Sequence, residues 1–423
     1  PAYKDSGVEW LGQVPAHWKV RRMKAAVHHI NEQTSTRNDE DLYIALEHVE
    51  SWTGRLLVPS GDPQFDSQVR RFRVGDVLFG KLRPYLAKVA RPKQRGVCVG
   101  EFFVLRARPV VIPAYLEVVL RSAPAIDFIN SSTYGAKMPR ADWAFVGAML
   151  FPLPPLPEQT AIARFLDYME RRIRRVIRAR QRRIKLLEEY KQALIHQAVT
   201  GKIDVRTGHP YPAYKDSGVE WLDQVPEHWA LKPLKRWVRI NASVLPETTP
   251  ADYAFRYIDI GTVGTGFLTR EPQQLRFSDA PSRARRVLHI GDTIISTVRT
   301  YLRAVYYVGG DAQALVCSTG FAVLTPGPST HAKYVSYLVQ SNMFTDRVTA
   351  ESVGTAYPAI AEGRLGSFYV PFPPLPEQNA IVEYLDTQTA KIDAAISAAR
   401  SEIELLREYR TRLIADVVTG KVD

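Results

Sequence analysis

The chain has 423 residues, 45% of them apolar and 24% charged, which supports packed cores and excludes a disordered polymer. A formal net charge of +12 and a pI near 9.5 point to a polyanionic partner, most often nucleic acid. Two cysteines argue against a disulfide scaffold or a zinc cage and suit a reducing cytosol, and no apolar run is long enough to span a membrane.

Taken in order, the chain says most things twice. Residues 1–24 read PAYKDSGVEWLGQVPAHWKVRRMK and return at 212–235 as PAYKDSGVEWLDQVPEHWALKPLK, an offset of 211. After the first copy, VGDVLFGKLRPYLAKV (74–89) alternates with period two, which predicts a strand or hairpin, and IGDTIISTVRTYLRAV (290–305) is its counterpart. Both carry Gly-Asp and then Arg-x-Tyr-Leu, at Arg83 to Leu86 and Arg299 to Leu302. A strand holding one cysteine follows in each half, so Cys98 and Cys317 read as buried strand residues. Next come helix-like segments around Ala114–Arg121 and Lys333–Gln340. Glycine–proline loops, STYGAKMPRADW (132–143) and ESVGTAYPAIAE (351–362), close the two heads. Strands, short helices and turns in this density predict a compact α/β or α+β head, with its strand order left open.

Each head leads into a long helix. Residues 154–204 and 373–423 both begin PPLPEQ, end VTGKID or VTGKVD, and align without a gap at an offset of 219. Proline and glutamate mark a helix start, Gly201 and Gly420 mark its stop, and the stretch 158–199 has the length of a helix of about 60 Å. Apolar residues recur at alternating spacings of three and four. In the first helix the seam is Ala163, Leu166, Glu170, Ile173, Ile177, Arg180, Ile184, Leu187, Lys191, Leu194 and Ala198. In the second it is Val382, Leu385, Thr389, Ile392, Ile396, Ala399, Ile403, Leu406, Arg410, Leu413 and Val417. Residues 158–199 carry 11 basic and 5 acidic side chains, whereas 377–418 carry 5 and 8, so the nets are +6 and −3. Opposite nets favour the two helices pairing with each other. The expected architecture is therefore α+β: two heads separated by an antiparallel coiled-coil pair, with a pseudo-twofold internal repeat. Its segments are head 1 (1–153), helix 1 (154–204), head 2 (205–370) and helix 2 (371–423). Eight arginines between Arg171 and Arg183 read either as a face bridging to the acidic helix or as a basic face along nucleic acid.

Catalytic spellings are absent. There is no Walker loop, no GxGxxG, no Asn/Asp-Pro-Pro-aromatic motif, no HExxH and no CxxC. Glu189-Tyr190-Lys191 has a nuclease-like spacing but lies in mid-helix, and His17 and His228 recur with the entry segment and so read as structural. The entries and helices are nearly the same in both halves, while the head interiors differ. This is a common frame carrying two differently specified surfaces.

The duplicated YKDSGVEWL and VPxHW entries, the PPLPEQ helices ending VTGK, the upstream GxxxP loops (Gly135–Pro139, Gly354–Pro358) and the two unlike heads resemble the specificity subunit of type I restriction–modification enzymes. That resemblance covers essentially the whole chain. It implies two target recognition domains, each binding one half of a bipartite double-stranded DNA site, and a helical spacer that fixes the gap between them. It also implies no catalysis and no bound cofactor in this cytoplasmic chain. Two methyltransferase subunits with S-adenosylmethionine and ATP- and Mg-dependent motor–nuclease subunits would be its partners. For phosphate and base contacts the basic loop residues are the candidates: Arg70, Arg71, Arg73, Lys81, Arg83 and Lys137 in head 1, and Arg283, Arg285, Arg286, Arg299 and Arg303 in head 2. Tyr85 and Tyr301 recur, which favours a frame role. Two competing readings are the recognition subunit of a type IIB-like restriction system and a non-DNA coiled-coil scaffold with two protein-binding heads.

Overall fold

The computed structural model describes residues 2–36, 38–57, 68–135 and 137–422. It divides into two compact units, residues 1–181 with 400–423, and residues 182–399. Each unit thus holds one head, the start of the helix that follows it, and the end of the other repeat's helix.

In the first unit the strands Val27–Ile30, Phe102–Ala107, Val77–Gly80 and Val89–Ala90 form an antiparallel sheet in that order. A second sheet runs Gln33–Thr34, Val69–Phe72, Gly96–Val99, Leu42–Ile44, with its last pair parallel. The second unit repeats the first sheet with Val238–Ile240, Phe321–Pro326, Thr293–Ser296 and Val305–Tyr307. Its other sheet runs Gln273–Arg276, Ala254–Ile258, Leu315–Ser318, Ala284–Val287. Three strands of that sheet match those of the first head. The fourth is added at the opposite edge, beside Ala254–Ile258 and not beside the counterpart of Val69–Phe72. The heads therefore diverge by what is laid against a shared core.

The Gly-Asp pair that opens each central strand has a local reason. Gly75 and Gly291 take φ of 90° and 93°, and the following Asp76 and Asp292 carboxylates accept the backbone N–H of Arg73 and His289, both at 2.8 Å. A left-handed glycine and an aspartate cap make the turn that aims the strand. The cysteines lie in the middle strands, wholly buried, and burial pushes the Cys98 thiol up to about 12 and Cys317 higher still.

Each head is closed by a two-stranded ribbon joining its entry to the residues before its helix: Lys19–Arg22 with Leu150–Leu153, and Ala230–Pro233 with Tyr369–Phe372. The helices follow as Leu156–Val199 and Leu375–Val418, 44 residues each. In the first unit Glu170 meets Arg410 at 3.7 Å and Arg180 meets Glu402 at 2.6 Å, so one number falls as the other rises and the pair is antiparallel. Leu166, Ile173 and Ile403 are buried there, with Ile177, Leu406 and Leu413 half-buried. In the second unit Lys191 meets Asp393 at 2.7 Å, Leu194, Leu385, Ile392 and Ile396 are buried, and Ile184 and Leu187 are half-buried. The charged interruptions of the apolar seam are thus ion-paired across it: Glu170 with Arg410, and Arg180 and Lys191 with acids of the other helix.

The duplicated PEQ motif has a structural explanation. Gln159 accepts from the Ile112 N–H at 2.9 Å and donates to the Val110 and Pro154 carbonyls, and Gln378 repeats this with His331, Ser329 and Pro373. Each glutamine ties the helix start to the loop ahead of a head helix, Pro113–Leu120 or Ala332–Gln340. The glutamate before it accepts Nε1–H of the entry tryptophan, Trp18 to Glu158 at 2.7 Å and Trp229 to Glu377 at 2.9 Å. His17 and His228 lie against the same carboxylates at 2.9 and 2.8 Å, which places both histidines in the frame.

Candidate nucleic-acid interface

At the exposed end of each first sheet two loops are stitched together in the same way. After Val77–Gly80 the chain passes Lys81 and Leu82 into a 3-10 turn, Pro84–Leu86; after Thr293–Ser296 it enters Thr300–Leu302. The residues at the two ends of these turns are left-handed: Arg83 (φ 50°) and Ala87 (φ 46°), Arg299 (φ 51°) and Arg303 (φ 49°). Non-glycine residues rarely adopt this conformation, and it persists only where surroundings enforce it. Here the surroundings are the GxxxP loop. Arg83 N–H donates to the Pro139 carbonyl at 2.7 Å and Ala141 N–H to Lys81 at 2.8 Å; Arg299 donates to Pro358 and Ile360 to Thr297, both at 2.8 Å.

The GxxxP loops are themselves small hairpins. Tyr134 bridges Arg140 and Val353 bridges Ala359, with Gly135 and Gly354 at φ of 93° and 113° turning the chain. Ala136 lies outside the described residues. The tips stand in solvent with large side chains: Tyr134 is 62% exposed, Met138 50%, Val353 81% and Tyr357 65%. Tyr85 and Tyr301 on the adjoining turns are 44% and 54% exposed. Aromatic and cationic groups on a projecting edge are the chemistry that nucleic-acid contacts use.

The basic candidates fall into two sets. Lys81, Arg83 and Lys137 converge on this edge in head 1, with Arg83 and Lys137 exposed and free of ion pairs among the described residues. Burial lowers the Lys81 pKa from its ordinary value; Glu101 pulls it back up, and Arg70 and Arg140 push it further down. His29 is lowered by burial and then by Arg70 and Lys81. Burial is the larger cause at both groups, and Glu101, which pairs with Arg140 at 3.2 Å, offsets part of the positive charge around Lys81. In head 2, Arg299 lies over the Tyr357 ring at 4.8 Å.

Other candidates hold protein groups. Arg70 donates to the Phe102 carbonyl, and Arg71 to Thr34 and Thr36, with Asp41 at 3.8 Å. Arg283 reaches Asp259 at 3.4 Å, Arg285 covers Phe277, Arg286 pairs with Glu362, and Arg303 binds Asn342 and Asp346. Arg73 is exposed at its turn, away from the stitched loops. On the first long helix, Arg171 and Arg174 pair with Asp167 and Glu170 one turn back, and Arg172 lies over Tyr168. The residues that sequence reasoning passed over are the apolar and aromatic ones at the hairpin tips, Tyr134, Met138, Val353 and Tyr357. The GxxxP spelling marked the loops, but a search for cations alone did not select their tips.

Among the described residues no group of three or more His, Cys, Asp or Glu side chains is placed to hold a metal ion, and no helix is long and apolar enough to cross a membrane.

Comparison with known proteins agrees with this geometry. A family model described as type I restriction modification DNA specificity domain matches residues 280–405. The type I restriction enzyme MjaVIII specificity subunit of Methanocaldococcus jannaschii is 23% identical over 70% of this chain and 67% of its own. The EcoDI specificity subunit of Escherichia coli is 25% identical over 64% and 62%. The aligned part thus spans about two thirds of these relatives. Among solved structures, a chain described under "Structural basis underlying complex assembly and conformational transition of the type I R-M system" superimposes with a TM-score of 0.72 at 22% identity, over 97% of this chain and 99% of that one. The HsdS subunit from Thermoanaerobacter tengcongensis gives 0.52 at 22% identity over 97% and 98%. The repeated frame, the paired helices and the two unlike heads thus make a chain similar to type I restriction–modification specificity subunits, with the fold of the HsdS subunit and a match to the type I DNA specificity domain over residues 280–405.

Proposed function

We propose that this chain is the non-catalytic DNA-reading subunit of a cytoplasmic type I restriction–modification complex. Each head reads one half of an asymmetric bipartite site, and the length of the paired helices sets the number of base pairs between the halves. Two methyltransferase subunits dock on the frame and supply S-adenosylmethionine-dependent adenine methylation. Motor–nuclease subunits supply ATP- and Mg-dependent cleavage.

One observation carries this reading. The stitched edge has the same backbone geometry in both heads, whereas its tips present different chemistry, Tyr134, Lys137 and Met138 against Val353 and Tyr357. A surface kept in shape and varied in side chains is what two different DNA half-sites require. Long-read detection of methylated adenine in the host genome tests it. The expected result is one motif of two short, unlike half-sites with a fixed gap; a palindromic motif would sink the proposal.

A further inference from the structure

The two stitched loops differ in what they share between heads. The turn keeps its residues: Arg83 and Arg299 both open it left-handed, and Tyr85 and Tyr301 both stand exposed on it. Of eight non-glycine residues with positive φ in the described chain, four lie at the ends of these two turns, so backbone strain is concentrated there. The hairpin keeps its backbone and changes its tip. Head 1 places an exposed cation, Lys137, with no ion pair among the described residues, beside the apolar Met138; head 2 places a hydroxyl, Thr355, beside Tyr357, whose ring carries Arg299. The prolines and glycines that shape the hairpin, Gly135 and Pro139, Gly354 and Pro358, are common to both.

We infer a division of labour that rests on the DNA-reading function above and deepens it. The hairpin tips choose bases, through Tyr134, Lys137 and Met138 in head 1 and Val353, Thr355 and Tyr357 in head 2. The Arg-x-Tyr-Leu turns hold the sugar–phosphate backbone whatever the sequence. The chemistry of each part fits its role. Guanidinium groups on a strained, fixed turn suit phosphate oxygens, which every sequence presents in the same way. Lysine matches guanine O6 and N7, a hydroxyl serves as donor or acceptor, and methionine and valine suit a thymine methyl. Because the proline carbonyl of the hairpin fixes the arginine backbone, the tip is held in register with the phosphate contact.

The test uses the full chain assembled with its methyltransferase subunits. The complex selects from a pool of duplexes randomised across both half-sites, and bound molecules are sequenced. Lys137→Ala should change preference at head 1's half-site alone, and Tyr357→Ala at head 2's alone, by roughly 5- to 150-fold at the affected base pair. The untouched half-site in the same chain reports that the variant is folded. Arg83→Gly keeps the left-handed backbone and removes the side chain, whereas Arg299, which covers the Tyr357 ring of the tip, is left in place. Arg83→Gly should preserve both motifs, weaken all sequences alike, and reduce the magnitude of the slope of log affinity against log salt by about one. A variant complex that melts early is replaced by Lys137→Gln or Tyr357→Phe and judged on the same outcomes. Tip variants that leave the motif intact, or an arginine variant that alters which bases are chosen, overturn the inference while leaving the DNA-reading function standing. A parent complex that selects no motif overturns both.

Discussion

At the scale of single residues, two glutamates in the same motif do unequal work. Glu158 receives Trp18 Nε1–H and faces His17, with 35% of its side chain exposed. Glu377 receives Trp229 Nε1–H and the Tyr211 hydroxyl at 3.1 Å, faces His228 and Arg206, and is 10% exposed. Truncating Glu158 strands one buried donor, at about 1–3 kcal/mol; truncating Glu377 strands two and removes a partner from Arg206. Glu377→Ala should therefore destabilise its unit more than Glu158→Ala destabilises its own, by about 2 kcal/mol, read as a larger fall in thermal midpoint. Equal losses in calorimetry would show that Tyr211 and Arg206 contribute nothing. The sequence made the histidines legible as frame residues because they recur with the entry. Their carboxylate partners lie 141 and 149 positions away, and only the joint duplication of HW and EQ hinted at the pairing. Separations of 76 and 43 positions likewise hide the neutralisation of Arg286 by Glu362 and of Arg303 by Asp346, so the sequence offers to DNA two arginines that already hold acids.

At the scale of elements, the ends of the long helices were the most legible feature and prove to be junctions. Both end in a Schellman motif: Lys202 N–H bonds to the Gln197 carbonyl at 2.9 Å and Gly201 to Ala198, with Lys421 to Asp416 at 2.8 Å and Gly420 to Val417 in the other copy. The glycines are left-handed, and a Cβ on either would lie 2.4 Å from the Cδ of Pro226 or Pro15 and 3.1 Å from the ring of Trp229 or Trp18. Their carbonyls accept the hydroxyls of Tyr214 and Tyr3, both at 3.0 Å. The repeated VTGK and PxHW spellings thus belong to one contact, in which each entry segment seats the end of the helix from the other repeat. Alanine there meets a left-handed penalty of about 1–2 kcal/mol and a backbone-held clash in addition. Gly201→Ala and Gly420→Ala are each expected to cost about 3 kcal/mol or more, read as a fall in thermal midpoint. Gly208→Ala, at φ 75° with nothing near its Cβ, should cost only the conformational part. Comparable losses at all three glycines would remove the packing argument. Strand order, by contrast, was not legible. The extra strands Gln33–Thr34 and Gln273–Arg276 lie at opposite edges of a shared core, and nothing local distinguishes one edge from the other.

For the whole molecule, the consequence is that neither repeat is a folding unit by itself. The core of the first unit includes Ile414, Val417 and Val418 with Leu413 beside them, while that of the second includes Leu194, Ile195, Ala198 and Val199. Burial at about 1.5–3 kcal/mol per large apolar side chain makes each borrowed helix end worth about 5–9 kcal/mol, as much as the net stability of an ordinary domain. A chain cut after residue 204 would leave both repeats with an uncovered core and a helix without its partner. The fragments 1–204 and 205–423, coexpressed, should therefore associate one to one and elute as a single species. The helix charges of +6 and −3 and the cross-helix pairs Arg180–Glu402 and Lys191–Asp393 favour this over either fragment pairing with itself. Expressed alone, each should self-associate weakly or aggregate. Native mass spectrometry of the mixture decides the matter: folded monomers of both fragments, stable apart, would mean that the exchanged helix ends are ornamental and that the repeats, not the interleaved units, are the domains.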